Sequence, residues 1–380
     1  LLSDAPALPD AENRIANVKL FEHVRELRRG GQLPEARGLL LEAGRWADPH
    51  LVTQTILVLN ELEDSAGLHH ALSLAIASLG SVPRVGQEYL LFLHRRAEQH
   101  YLDEAARAPL LAMIAGLVAD GSVAPDSKLG RAWTGGQARR AFGARFAARA
   151  AATGFVPNFV PLGLNCMPWV LTNRWGMSRA DIYRRNLNPF SMAVHTIPGV
   201  IEALRSGFSH YTAPDEVMTI TAPGGRSVVM RKDRGATWVH HDNAFFVQDG
   251  YANLGHGMIE RVAAMRQACA APTPVFMLNY VNVDYPNVEL KFLPALRRAL
   301  EAFTGTTDHY LFMSNTMKSH EGPQVYDVDS HACFFYCTLP EKGFEWNQEA
   351  NLDSDKSMAF ERQYVERIEE CLGRWGLLGE

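Results

Sequence analysis

The chain is poor in cysteine, in long apolar runs and in excess charge of either sign. It holds five cysteines in 380 residues, and none precedes Cys166. An odd, sparse set excludes a disulfide framework and points to a reduced, cytoplasmic setting. The longest unbroken apolar run is Ala108–Ala119. A bilayer span needs about 20 residues, so no membrane span is expected. No basic-then-apolar signal segment opens the chain. It begins at Leu1, which leaves room for a leader removed beforehand. Lysine and arginine number 37 against 42 acidic residues. Without a positive excess, nucleic acid is not an expected partner.

Aromatic residues are also thin at first, with 8 before residue 151 and 28 after it. The texture changes at the same point, which predicts a helical domain over 1–150 and an α/β domain over 151–380. In the first, Leu20, Phe21, Val24 and Leu27 share a helical face that Gly30-Gly31 terminates. Pro34 opens the next helix, and further helical patterns cover about 50–62, 66–78, 86–99 and 103–119. The stretch Gly31–Ala36 resembles the joint of tetratricopeptide-type repeats. A plain bundle is the alternative, because no clean 34-residue period repeats. The six histidines here lack ligand spacing, so this part is expected to serve a protein partner or to shape a substrate cleft. Residues 128–149 are locally basic and read as a solvated connecting helix or as an anion or partner surface.

After residue 155 strand and helix patterns alternate. Strands are expected at Phe159–Leu162, Val217–Thr221, Ser227–Arg231, Thr237–His240, Val275–Val281, Tyr310–Met313 and His331–Thr338. Pro223-Gly224-Gly225 reads as a hairpin turn. Helices are expected at 167–176, 198–207, 257–270, 289–303 and 356–375. This predicts a mixed, largely parallel sheet flanked by helices, with sites at the carboxyl ends of its strands.

One segment carries chemistry. In Asn158–Trp169 a short strand runs into Gly163, Asn165 suits a helix N-cap, and Pro168 suits a first helical turn. Cys166 therefore sits at a helix N-terminus, where amides and the helix dipole favour a thiolate. Backbone amides around Gly163, Asn165 and Met167 are the expected oxyanion donors. The logic parallels the strand–nucleophile–helix elbow of hydrolases, although Pro168 replaces that motif's second glycine. A buried structural cysteine is the bland alternative. The base is sought among His195, His210, His240, His241, His256, His309, His320 and His331. His240-His241-Asp242, at a strand end, has the most suitable context. Only one of the two rings can face Cys166 if the strand continues.

Leu162–Cys166, Asn188-Pro189-Phe190-Ser191, His241-Asp242 and the helix with Glu260-Arg261 leading to Val275–Asn279 resemble an uncharacterised bacterial family of papain-like cysteine peptidases. The similarity covers about 157–340. It implies Cys166 as nucleophile, His241 as base and Asp242 as orienting acid. The family's pattern has Pro-Phe-Asp where this chain has Ser191. The Gly-x-Asn-Cys turn is similar to one in enzymes of bacterial surface-polysaccharide (capsule) biosynthesis thought to move acyl groups. Both resemblances imply attack on an acyl or amide carbonyl through a thioester. The substrate is then a small molecule, peptide or glycan.

Two other readings compete. Asp327, Asp329 and His331 share a face if extended and would suit a divalent cation in a sugar transferase, although a polar strand edge is the simpler reading. A non-catalytic helical-repeat adaptor is the third. Cys333 and Cys337 lie too far apart along one strand for a disulfide and read as core. No cofactor or resident metal is expected, and no glycine-rich phosphate loop is present.

Overall fold

The structure is a computed structural model. It describes residues 11–46, 48–78, 83–99, 104–164, 166–178, 188–211, 213–221, 227–238, 246–281, 289–307, 309–317, 325–341, 344–346, 348 and 351–380. The chain divides into two compact units, 1–136 and 137–380.

The first unit is all helical: α1 (Ala11–Arg29), α2 (Leu33–Ala43), α3 (Pro49–Glu61), α4 (Ser65–Ala77), α5 (Pro83–Gln99), α6 (Glu104–Ala119) and the start of α7 (Lys128–Thr153). Local signals set the starts. Asp48 accepts from the amides of His50 and Leu51 to cap α3, and Asp64 accepts from Gly67 to cap α4. Helices pack on their neighbours and on the helix two along: α1 on α2 and α3, α3 on α4 and α5, α4 on α6. Such neighbour-by-neighbour stacking is how helical arrays bury a continuous core. Here that core includes Ile56, Leu72, Leu93, Leu110 and Ile114.

Helix α7 contributes to both units. Ala132 and Trp133 belong to the first core, Phe142 and Phe146 to a core of the second. The boundary of the compact units falls after Gly136, within this helix, whereas the change of texture in the sequence lies further along it. The basic run is solvated only in part: Lys128, Arg131 and Arg145 are exposed, whereas Arg139 is not. Arg139 is 2% exposed and donates to Asp353 at 3.0 Å and Glu361 at 3.3 Å. Arg145 and Arg149 both reach Glu369 at 2.8 Å.

Among its described residues the second unit holds two sheets. Sheet A has the order β1 (Phe159–Pro161), β6 (Val275–Val281), β7 (Tyr310–Met317), β9 (Ala332–Thr338), β8 (Val325–Asp329). The first four are mutually parallel, and β8 runs antiparallel to β9. Sheet B is antiparallel, in the order β2 (Val194–His195), β5 (Ala236–Trp238), β4 (Ser227–Arg231), β3 (Val217–Thr221). The hairpin expected around Pro223-Gly224-Gly225 is the β3–β4 pair, although its turn lies outside the described residues.

Sheet A is buried on both faces, as parallel strands require. Val275 and Met277 face a core shared with α7, α8 (Met167–Arg174) and α12 (Asp355–Arg374). Phe276 and Leu278 face the other core, with α9 (Ile197–Arg205), α10 (Ala252–Cys269), α11 (Leu293–Thr304) and sheet B. The unit is thus a mixed, largely parallel sheet with helices on both faces. Three features differ from expectation. Strand β7 runs on past Met313 through Ser314-Asn315-Thr316, β2 and β8 are additional, and the antiparallel strands form a sheet of their own.

Candidate active site

Strand β1 lies at the edge of sheet A and delivers the chain to Cys166. Its pairing with β6 extends one residue further, Leu162 N donating to the Met277 carbonyl at 2.8 Å. The backbone then turns sharply, with Gly163 at φ 86° and Leu164 at φ 67°. The left-handed conformation is natural for glycine. For leucine it stores strain of roughly 1–3 kcal/mol, which usually persists where a turn aims a functional group. Cys166 follows and is itself the N-cap of α8, with Pro168 in the first turn and Val170 N donating to the Cys166 carbonyl at 3.0 Å. The cap is thus one residue later than Asn165, which lies outside the described residues. Met167, the first helical residue, is buried against β1 and β6.

Cys166 is half-buried, whereas the other four cysteines are buried. Burial pushes its thiol above the ordinary value, and its own backbone amide offsets this only in part. This corrects the expectation of a readily ionised thiol. Taking the sulfur partly out of water works against the helix terminus and favours the neutral thiol.

The turn is held from two sides. Asn188, buried before the 3-10 turn Pro189–Met192, donates from Nδ2 to the Pro161 carbonyl at 2.8 Å. Its Oδ1 accepts from the amide of Ser191 at 3.1 Å and from its hydroxyl at 3.2 Å. Ser191 therefore completes a turn and brings no acid to the site. On the other side stands His195, 5% exposed. Its Nε2 hydrogen-bonds the Tyr211 hydroxyl, and Phe190 packs on the ring edge-on at 5.1 Å. Burial lowers its pKa to about 3, outweighing the Ala193 backbone, which favours the proton. Burial raises the Tyr211 phenol. The pair is thus a neutral imidazole against a neutral phenol. A β-carbon on Gly163 would come within 2.8 Å of His195 Nδ1.

Gly163→Ala is accordingly expected to destabilise the second unit by roughly 2–4 kcal/mol, from left-handed strain plus overpacking. Urea unfolding of the full chain measures this. A loss under about 1 kcal/mol would mean that the turn yields easily and that His195 does not brace it.

Topology separates the candidate bases. His309 directly precedes β7 and His331 directly precedes β9. Both stand at the amino ends of parallel strands, opposite to the end where β1 releases Cys166, and neither can serve it. His210 and His256 are exposed, and His256 lies 3.6 Å from Glu260 on its own helix. His240, His241, Asp242 and His320 lie outside the described residues. Strand β5 (Ala236–Trp238) is the last described segment before His240 and pairs with β2 through Ala236 opposite His195.

The Asp327–Asp329–His331 constellation is engaged otherwise. A bulge breaks the register between the two acids. Asp329 accepts from Arg297 at 2.6 Å and from the His331 amide at 2.9 Å. Asp327 accepts from Arg374 at 3.2 Å and from the Cys333 thiol at 3.2 Å. Among the described residues no three His, Cys, Asp or Glu side chains gather so as to hold a metal ion.

Two parts of the site carry little signal in the sequence. The His195–Tyr211 pair depends on a two-residue strand. The polar set at the carboxyl ends of β6 and β7, Asn279, Ser314, Asn315 and Thr316, is buried in mid-sheet. Its trace was a polar run interrupting an apolar strand. No family model, curated protein or solved structure matches the chain.

Proposed function

We propose that the second unit is a thiol enzyme in which Cys166 attacks an acyl or amide carbonyl and carries the acyl group as a thioester. The carrying observation is the placement of the sulfur. Alone among five cysteines it is not buried, and it caps α8 two residues after the left-handed pair Gly163-Leu164, which follows a parallel strand. His241, or its neighbour His240, is the base in this reading, oriented by Asp242. Because burial raises the thiol, the proton leaves during attack rather than in a resting ion pair. Water would complete a papain-like hydrolysis, and a sugar hydroxyl would complete an acyl transfer of the kind used in surface-polysaccharide synthesis. Five free thiols agree with a reduced compartment such as the cytoplasm.

Limiting iodoacetamide on the folded chain, with adducts mapped by mass spectrometry, tests the placement. Cys166 should label well before the other four. The raised pKa sets the pH dependence: the reactive thiolate is a minor species at neutrality, so the rate should keep climbing through pH 9. Labelling of Cys166 no faster than of Cys269 or Cys333 would remove the reading and favour a non-catalytic adaptor.

A further inference from the structure

Asn315 lies in β7 with 0% exposure, and neither its Oδ1 nor its Nδ2 has a hydrogen-bond partner among the described residues. Next to it, the buried Thr316 hydroxyl is likewise without a partner among the described residues. The contrast with Ser314 is direct, since that hydroxyl donates to Asn279 Oδ1 at 2.7 Å. Buried polar groups are nearly always paired. An unpaired carboxamide in a central strand is therefore a group held ready for a partner from outside.

Its position suits that role. Asn315 is in register with Tyr280 of β6 and Tyr336 of β9, toward the carboxyl ends of three parallel strands. Ligands of α/β sheets collect at that edge. Leu311 and Met313 belong to the core with α9, α10 and α11, so strand alternation directs Asn315 to the same side. Leu162 and Leu164 of the cysteine turn face that side too. Two strand spacings, about 10 Å, separate β7 from β1.

The chemistry selects the ligand class. No charged residue occurs in Leu278–Val281, Met313–Met317 or Phe335–Thr338. The Asn315 side chain offers a donor and an acceptor side by side. A carboxylate would leave its oxygen unpaired, and an ammonium would leave its NH2 unpaired. A second amide satisfies both. We propose that Asn315 is the amide-recognising residue of a substrate subsite at the carboxyl edge of β6, β7 and β9, so that the acyl chain carried by Cys166 bears an uncharged carboxamide or peptide amide. This rests on Cys166 being the nucleophile.

Two chloroacetamides of matched shape test it on the full chain: chloroacetyl-glycinamide, with a terminal carboxamide, and N-isobutyl chloroacetamide, with a methyl pair in its place. Their arms plus one hydrogen bond cover ~10 Å. Cys166 should react at least about tenfold faster with the first, and Asn315→Leu should erase the difference. The same substitution should raise the melting temperature by about 2–4 °C, because an apolar group replaces an unpaired polar one. Equal rates in the unaltered chain, or an unchanged ratio in the variant, would overturn the subsite and leave Cys166 standing. A variant that melts lower or fails to fold would show Asn315 already paired in the folded chain, overturning the proposal. Inertness of Cys166 toward both reagents would remove the nucleophile and the subsite with it.

Discussion

Cys166→Ala is expected to reduce turnover of small thioester and peptide amide substrates by roughly 10⁴–10⁶-fold, the scale seen when a nucleophile is deleted from an acyl-transfer site. That corresponds to about 5–8 kcal/mol of lost transition-state stabilisation. The folded chain should hardly register the change. The sulfur is only half-buried, and its side chain makes no hydrogen bond that caps α8. The melting temperature should move by no more than a degree or two. Cys166→Ser should fall almost as far, because a serine hydroxyl is much harder to ionise than a thiol. Running the assay with and without a glycan acceptor separates hydrolysis from transfer. Retention of turnover in Cys166→Ala, with stability intact, would move the chemistry to another residue.

The largest stability effect is expected at Glu361. This carboxylate is 0% exposed and accepts from Arg139 Nε at 3.3 Å, Arg174 Nη1 at 2.7 Å and the Trp175 indole at 2.9 Å. Asp353 takes the other arm of Arg139 at 3.0 Å. Replacing Glu361 with alanine leaves one buried guanidinium with a single acid and an indole N–H with none. Removing one partner of such a cluster typically costs 3–5 kcal/mol, and urea unfolding of the second unit should show a loss of about that size. Glu361→Gln, which keeps the shape and the acceptor oxygen but not the charge, should lose less. Similar losses in both variants would assign the effect to geometry rather than to charge. The consequence reaches the site, because Arg174 and Trp175 form the far end of α8. With that end untied, Cys166 alkylation should accelerate in Glu361→Ala even below the unfolding transition.

Much of this was readable from residue pattern. The strands Val217–Thr221, Ser227–Arg231 and Val275–Val281 stand where alternation and apolar runs put them, and the helix after Cys166 begins where Pro168 requires. Legibility failed where tertiary context decided. Ser314-Asn315-Thr316 has the composition of a turn, yet flanking β6 and β9 hold it in a buried strand. Val194–His195 is too short to show a period. The burial of Arg139 in α7 is hidden from the sequence because its partners, Asp353 and Glu361, lie some two hundred residues away. The acidity of Cys166 was misjudged for a related reason. A helix terminus is visible in sequence, whereas the packing that desolvates the sulfur is not. Sequence order also could not show that His309 and His331 stand at the wrong end of the sheet.

Strand β1 has one neighbour in sheet A, and that neighbour is made late: Phe159 pairs with Val275. A ribosome adding about 5–20 residues per second needs roughly 6–23 s to travel between them. All of sheet B is synthesised in that interval. The nascent cysteine therefore spends its first seconds as an ordinary thiol on an unpaired segment, and its surroundings close only when β6 emerges and the intervening residues are already available to fold beside it.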